Sequence, residues 1–330
     1  MQDNKNNSQL VEIAVSLLES GNIVAVPTET VYGLACAINK PEAINLVYRI
    51  KNRPTQHPLI IHIAKADDLS NYAKEIPSYV SLLTNSLWPG PLTLVLKKSE
   101  SVPAAITGGQ DSVAIRMPAQ PLLQQIIDQL GVPIAAPSAN KFGGISPTEA
   151  SHVIAEFDNQ IEVIDGGRCQ HGIESTIIDV RDHKTCTILR PGPISKGMLE
   201  KILSFNSEPV DIIDIQDKSI RFPGKYDKHY APRKKLISFK NVYELSKLKE
   251  KYPEPYVIHH TPFTLESIKN YQIDSEAVIY SREIYKALRI ADESICEVIL
   301  IERPPLNNDW LAINDRLNRA ITLHYREIID

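Results

Sequence analysis

At 330 residues, 43% of them hydrophobic, the chain exceeds one typical domain and carries material for a large core. Its formal net charge of −4 excludes a wholesale electrostatic grip on nucleic acid and leaves room only for a local basic patch. Cys36, Cys169, Cys186 and Cys296 stand far apart with no CxxC pair, which points neither to zinc nor to a disulfide framework. The polar stretch Met1 to Gln9 lacks an apolar leader core and no run approaches a membrane span, so the expectation is a soluble, cytoplasmic protein with no membrane partner.

Leu10 to Glu19 is periodic at helical spacing and closes at Gly21, a C′ glycine. The apolar strand Ile23 to Val26 runs out into Pro27-Thr28-Glu29-Thr30-Val31-Tyr32-Gly33-Leu34. Two hydroxyls, an acid and a phenol at a strand's carboxyl end read as a binding loop, because ligand crevices of open α/β sheets lie there. Pro41 suits the first turn of a helix through Arg49, and Pro54 forces its end. Arg49, Lys51 and Arg53 thus gather at a helix C-terminus, where they either complement the dipole or bind an anion. The strand Leu59 to Ile63 carries His62 at its end, with His57 in the turn before it. Helices follow near Asp67 to Ala73 and Tyr79 to Leu87, then strands Leu92 to Leu96, Val113 to Arg116 and Pro133 to Ala136.

Arg116 closes an apolar strand, so either an internal acid or a bound anion must face its planar fork. Ala136-Pro137-Ser138-Ala139-Asn140 leaves the next strand, and Ser146-Pro147-Thr148-Glu149 reads as a capping box with proline at the first helical position. This is either a phosphate cradle or an ordinary N-capped loop. Thr176 to Val180 and Thr185 to Leu189 form a hairpin that makes the sheet mixed, and Glu174-Ser175-Thr176 and Arg190-Pro191-Gly192 add hydroxyls and a cation. The alternation of strands and helices is that of an α/β protein.

From Ser204 to Pro232 the periodicity weakens into a linker whose Tyr226, His229 and Tyr230 cluster suits a functional segment. Beyond it, Lys235 to Phe239, Tyr256 to His259, Ala277 to Tyr280 and Val298 to Ile301 read as strands interleaved with helices such as Asp309 to Thr322. The expected division is a catalytic domain over 1–205, a linker or lid over 206–233 and a smaller α/β domain over 234–330. Walker, dinucleotide, serine-elbow and HExxH signatures are missing, so any nucleotide is held by scattered cations and backbone donors.

The ordered set Pro27–Leu34, Lys51-x-Arg53-Pro54, His57 to His62, Ala114-Ile115-Arg116-x-Pro118, Pro137-Ser138-Ala139-Asn140, Ser175-Thr176-Ile177 and Leu189-Arg190-Pro191-Gly192 closely resembles the YrdC/Sua5 family. Pro223-Gly224-x-Tyr226-x-x-His229-Tyr230-Ala231-Pro232 resembles the longer Sua5 branch. The resemblance implies a twisted mixed-sheet YrdC-like domain with a second, smaller Rossmann-like α/β domain. It implies condensation of L-threonine, bicarbonate and ATP to threonylcarbamoyl-AMP and pyrophosphate, feeding t6A modification of tRNA through a separate transferase, with transient contact to tRNA or that transferase. Mapped by motif, Thr30, His62, Arg116, the Ala136 carbonyl and Ser175 or Thr176 hold threonine. Arg53, His57, Ser112, Ser138, Ser146, Arg190 and Tyr226 meet ATP. Lys51, Arg53, Ser138 and Asn140 form the catalytic constellation, and Tyr226, His229 and Tyr230 form a lid. Mg2+ would ride on the ATP phosphates without a protein metal site. Two rivals are a double-stranded RNA-binding module without catalysis, disfavoured by the acidic charge, and a carbamoyl-transfer enzyme, which would need modules this chain does not have.

Overall fold

The computed structural model describes residues 2–214, 221–224, 229–265 and 268–329. The chain divides into two units, one of Met1–Phe142, Pro147–Gln170 and Glu174–Lys225, the other of Gly143–Ser146, His171–Ile173 and Tyr226–Asp330.

The first unit runs α1 (Gln2–Glu19), β1 (Val24–Val26), β2 (Gly33–Ala37), α2 (Pro41–Ile50), β3 (Ile60–His62), α3 (Leu69–Tyr72), β4 (Ala73–Lys74), α4 (Val80–Leu87), β5 (Leu92–Lys98), α5 (Ala104–Thr107), β6 (Ser112–Arg116), α6 (Pro121–Leu130), β7 (Ile134–Ala135), α7 (Ala150–Phe157), β8 (Thr176–Asp179), β9 (Thr185–Arg190), α8 (Lys196–Leu203) and β10 (Asp211–Asp214). Its described strands form one mixed sheet in the order β1-β2-β7-β3-β6-β5-β8-β9-β10, with β4 added beside β5. β3 runs parallel to β6 and β5 parallel to β8, while β8 and β9 make the expected antiparallel hairpin. Gly21, at φ +78°, lets the chain turn after α1. α1 buries Val11, Ala14, Val15 and Leu18 in one cluster with Leu122, Leu123, Ile126 and Ile127 of α6. Truncating such a residue, Leu18→Ala for example, costs about 2–5 kcal/mol.

The second unit carries β11 (Lys235–Phe239), α9 (Val242–Lys251), β12 (Tyr256–His259), β13 (Asn270–Gln272), α10 (Ala277–Glu293), β14 (Val298–Glu302), α11 (Leu311–Ala320), β15 (Leu323–His324) and α12 (Arg326–Ile329). Its sheet is all parallel, in the order β13-β12-β14-β11-β15. Ile237, Phe239, Val257, Val298 and Leu300 pack with Leu245 and Leu248 of α9 in its core. Among the described residues no helix is long and apolar enough to cross a membrane.

Three sequence expectations change. Ala277 to Tyr280 is not a strand but the first turn of the 17-residue α10, because Tyr280, Ile284, Leu288 and Ala291 recur at helical spacing and are buried together on one side. The helix expected to start at the Ser146 capping box instead begins at Ala150, with Glu149 as N-cap and no side-chain cap bond. The carbonyls of Pro147 and Thr148 are taken by the backbone N–H groups of Tyr32 and Cys169, which holds this stretch out of the helix. Ser146 is therefore not a helix cap, and no helix N-terminus directly follows the 138–140 loop. Finally, the stretch expected as linker holds a strand the pattern missed, β10, which pairs in parallel with β9.

Candidate active site

One row of residues runs across the first unit's sheet. His62 pairs with Arg116, Arg116 with Thr93, Thr93 with Ile177 and Ile177 with Arg190. Residues opposite one another on neighbouring strands share a face, so His62, Arg116 and Thr93 point the same way. The same face carries Ile60, Ala114 and Val95 one step along, buried with Ile177, Leu189 and Phe222. Ser112, two residues further back on β6, lies beyond this apolar row. The opposite face, with Ile61, Ile115, Leu94 and Ile178, belongs to the main core. The strand alternation thus floors the site with a polar row beside an apolar one.

The Pro27–Leu34 segment stands over the polar row as the connection between antiparallel β1 and β2. Thr28 Oγ1 accepts the backbone N–H groups of Thr30 at 2.9 Å and Val31 at 3.1 Å, a side-chain-made turn that fixes the loop. Tyr32 anchors its far end, donating its hydroxyl to the Gly167 carbonyl at 2.8 Å, and burial pushes its pKa upward. Arg116 then reaches back into the loop. Its Nη1 donates to Thr30 Oγ1 at 2.9 Å and its Nε to the Gly90 carbonyl at 3.2 Å. Nη2 lies 2.6 Å from Glu29 Oε1. The internal acid left open by the sequence is Glu29, a residue that sequence reasoning placed in the loop but not in the site.

His62 is 2% exposed. Burial, and then the Arg116 charge, pushes its imidazole down to about 3, so it stands neutral beside the arginine. Thr93, missed in the sequence because it sits inside an apolar strand, shares a 2.8 Å hydrogen bond with the Ser175 hydroxyl. Arg190 Nε and Nη2 donate to the Ser175 carbonyl at 3.1 and 2.9 Å. Thr176 is differently employed, its hydroxyl exchanging 2.9 Å bonds with the carbonyl and N–H of Ile194. Of the two hydroxyls proposed for threonine, that of Ser175 meets the row and that of Thr176, at the start of β8, turns to the loop at Ile194. Gly192 is needed there, since a Cβ would come within 2.4 Å of the Thr176 nitrogen.

The 136–140 loop is stitched to the same segment. Leu34 N–H donates to the Pro137 carbonyl at 2.7 Å and Ala139 N–H to the Tyr32 carbonyl at 2.8 Å. A Cβ on Gly33 would stand 3.0 Å from the Ala136 Cβ, so glycine permits the close approach that brings the Ala136 carbonyl to the loop. Lys51, the C-cap of α2, is buried and directs Nζ to the carbonyls of Ser138, at 2.5 Å, and Asn140. Its own carbonyl accepts the Phe142 N–H at 2.7 Å. The lysine therefore holds the loop rather than offering a free cation, and burial, with Arg53 adding to it, lowers its pKa well below the usual value. Arg53 donates to the Pro58 carbonyl at 2.9 Å and lies 5.7 Å from the Phe142 ring centre. His57 meets that ring edge-on at 5.0 Å. Its pKa is pushed down to about 4 by burial, then by Arg53 and Arg221. Phe142, the shared platform, was hidden in the sequence by its small glycine-rich neighbours.

The stretch 221–224 crosses the same face. Phe222 is buried on the apolar row, Arg221 donates to the Gln56 and Gly108 carbonyls at 3.2 Å each, and the Pro223 carbonyl accepts from Arg190 at 3.1 Å. Tyr226 lies outside the described residues. Ser146, His229 and Tyr230 belong to the second unit, where Tyr230 is buried against Tyr285 at 6.0 Å and His229 at 4.1 Å.

The lysine-clamped 136–140 loop, brought close by Gly33, thus stands beside a buried row of arginine and hydroxyls on a mixed α/β sheet, an arrangement suited to anionic ligands. Residues 16–192 match the family described as "Telomere recombination", the Sua5/YciO/YrdC group, and residues 194–321 match the "Threonylcarbamoyl-AMP synthase, C-terminal domain". The threonylcarbamoyl-AMP synthase of Pyrococcus abyssi is 38% identical over 320 residues, covering 94% of this chain and 93% of that protein. The Bacillus subtilis enzyme is 35% identical over 326 residues, covering 96% and 93%. The crystal structure of P. abyssi Sua5 complexed with L-threonine superposes with a TM-score of 0.84 at 36% identity, covering 94% of this chain and 95% of that one. The chain belongs to the two-domain, Sua5-type threonylcarbamoyl-AMP synthases, ATP-using nucleotidyltransferases of the tRNA t6A pathway.

Proposed function

We propose that the chain condenses L-threonine, bicarbonate and ATP to threonylcarbamoyl-AMP and pyrophosphate, with the His62–Arg116–Thr93 row as its threonine end. The observation that carries this reading is Arg116, buried in that row between His62 and Thr93 and hydrogen-bonded to Thr30. On this reading Arg116 takes the threonine carboxylate, and Thr30, His62, the Ala136 carbonyl and Ser175 surround the rest. Thr176 contributes by fixing the chain at Ile194. Arg53, His57, Ser112, Ser138 and Arg190 form the ATP end, with Ser146 and Tyr226 as further contacts taken from the family resemblance. That threonine is seen in the P. abyssi structure supports the assignment.

The chemistry follows from charge. A carbamate oxygen must strike the α-phosphorus while pyrophosphate leaves, so anions crowd the site. Arg53 and Arg190 offset that charge, while Lys51 acts through the carbonyls of Ser138 and Asn140 to aim the loop's donors. Removing one such preorganised donor costs about 3 kcal/mol of transition-state stabilisation. Mg2+ would ride on the ATP phosphates, as the family resemblance implies. The lid reading of the linker draws support from Phe222 and Pro223, which cross over the strand face that floors the site. The product would pass to a separate transferase acting on tRNA.

The test is incubation of purified protein with ATP, labelled bicarbonate and threonine. Threonine-dependent pyrophosphate and labelled threonylcarbamoyl-AMP are expected. Salt-sensitive RNA binding without ATP turnover would instead favour a binding module.

A further inference from the structure

Glu29 has no task in the reaction as assigned above, yet it is the carboxylate that faces Arg116. It is 4% exposed. Although Oε1 stands 2.6 Å from Arg116 Nη2, the contact is off the N–H axis, and neither carboxylate oxygen takes a directed hydrogen bond. His62 Nδ1 and Arg116 Nη2 are likewise without a hydrogen-bond partner. Buried charges are costly unless paired and hydrogen-bonded, and a buried polar group left in this condition calls for a reason. Here three such groups from separate segments converge: a base, a cation and a neutral imidazole.

A free α-amino acid is a zwitterion, and a carboxylate beside an arginine is its complement. We propose that Glu29 accepts the ammonium group of the substrate while Arg116 takes its carboxylate, and that Glu29 is the base that frees the amine for attack. The inference rests on the threonine reading of this row and deepens it. The ammonium gives one proton to a Glu29 oxygen. The nitrogen lone pair then forms the N–C bond to the carbon of CO2 derived from bicarbonate, and the hydroxide released by that dehydration takes the second N–H proton and leaves as water. The carbamate oxygen is then free to attack ATP, and the proton on Glu29 passes to solvent. The other titratable groups of the cluster do not compete for this proton. Arg116 is a fixed cation, His62 is held down at about 3, and the Cys169 thiol, near Glu29, is pushed up to about 12 by burial.

The test uses the full chain, with threonine and its deaminated analogue 2,3-dihydroxybutanoate as titrants. Wild-type protein is expected to bind threonine at least tenfold more tightly than the analogue. In Glu29→Gln, threonine binding weakens by tenfold or more while analogue binding stays unchanged. The variant's kcat/KM falls by about 10²–10³ near neutral pH. It then recovers about tenfold per pH unit toward the pKa of threonine's own amine, because the substrate arrives already deprotonated. No fold defect would produce that alkaline recovery. Glu29→Gln binding and turning over threonine like the wild type overturns the inference and leaves the threonine pocket standing. Wild-type protein that fails to bind threonine at all overturns the pocket and the inference together. Should Glu29→Gln not fold, the wild-type comparison decides alone: equal affinity for threonine and the deaminated analogue overturns the ammonium contact.

Discussion

Two buried glutamates, one in each unit, are treated oppositely by the chain. Glu302, ending β14, is 3% exposed and saturated, its Oε2 accepting the N–H groups of His260 and Thr261 at 2.8 Å each and its Oε1 accepting the Thr261 hydroxyl at 2.5 Å. Glu29 is buried to the same degree, has Arg116 as its charge partner and takes no directed hydrogen bond. Burial and residue type are the same, so neither tells the two roles apart. Hydrogen-bond accounting does. A carboxylate saturated by its own chain is a structural strut, whereas one neutralised in charge but open at its lone pairs is kept for a ligand.

The comparison is most exposed at Arg116. Arg116→Met leaves Glu29 as a buried, uncompensated anion, and urea unfolding is expected to show a loss of about 3–5 kcal/mol. A loss under about 1 kcal/mol would mean that the Arg116–Glu29 pair does not contribute to the stability of the fold. Next in size is Glu302→Ala, which strands two backbone donors and a hydroxyl at a cost of roughly 3 kcal/mol. Threonine turnover by the folded fraction should be kept, and its loss would show that Glu302 is more than a strut. The coupling between partners comes third. The double variant Arg116→Met/Glu29→Gln should regain roughly 2 kcal/mol over Arg116→Met alone, since the orphaned charge goes with it. Arg116→Met combined with Glu302→Gln shares no partner and should add to within about 0.5 kcal/mol.

Much of this was legible in the sequence, for reasons that also mark where legibility stops. β3, β6 and β8 announced themselves as short apolar runs, and because His62, Arg116 and Ser175 sit at their ends, sheet pairing alone brought them together. The Lys51 contact was not legible. Sequence shows a cation at a helix end but not that loop carbonyls will claim its Nζ. Thr93 carries no sequence signal of its own, because a strand buried on both faces is silent about which side is polar. Glu29 stood in plain view in the opening loop, but its role depends on a partner 87 positions away, a pairing that only the fold supplies. The Ser146 cap failed for a similar reason, its neighbours' carbonyls being taken by Tyr32 and Cys169. Ala277 to Tyr280 failed because four residues are too few to tell the first turn of a helix from a strand.

The last expected effect is a slope with pH, and it concerns how dry the Glu29 end of the comparison is. Burial and Arg116 hold the His62 imidazole at about 3, whereas in the unfolded chain it titrates near 6.5. Between those values the unfolded state binds a proton that the folded state refuses. The stability tied to the neutral ring is therefore complete above about pH 6.5 and is lost as the pH falls toward 3, by up to about 1.4 kcal/mol per pH unit. Urea unfolding of wild type and His62→Gln at a series of pH values isolates the term, because the acidic groups common to both cancel in the difference. The wild type should lose stability faster than the variant by close to one proton's worth of slope. Equal slopes would mean that water reaches His62 and screens it from Arg116. Glu29 would then be solvated too, and its open lone pairs would no longer distinguish it from an ordinary surface carboxylate.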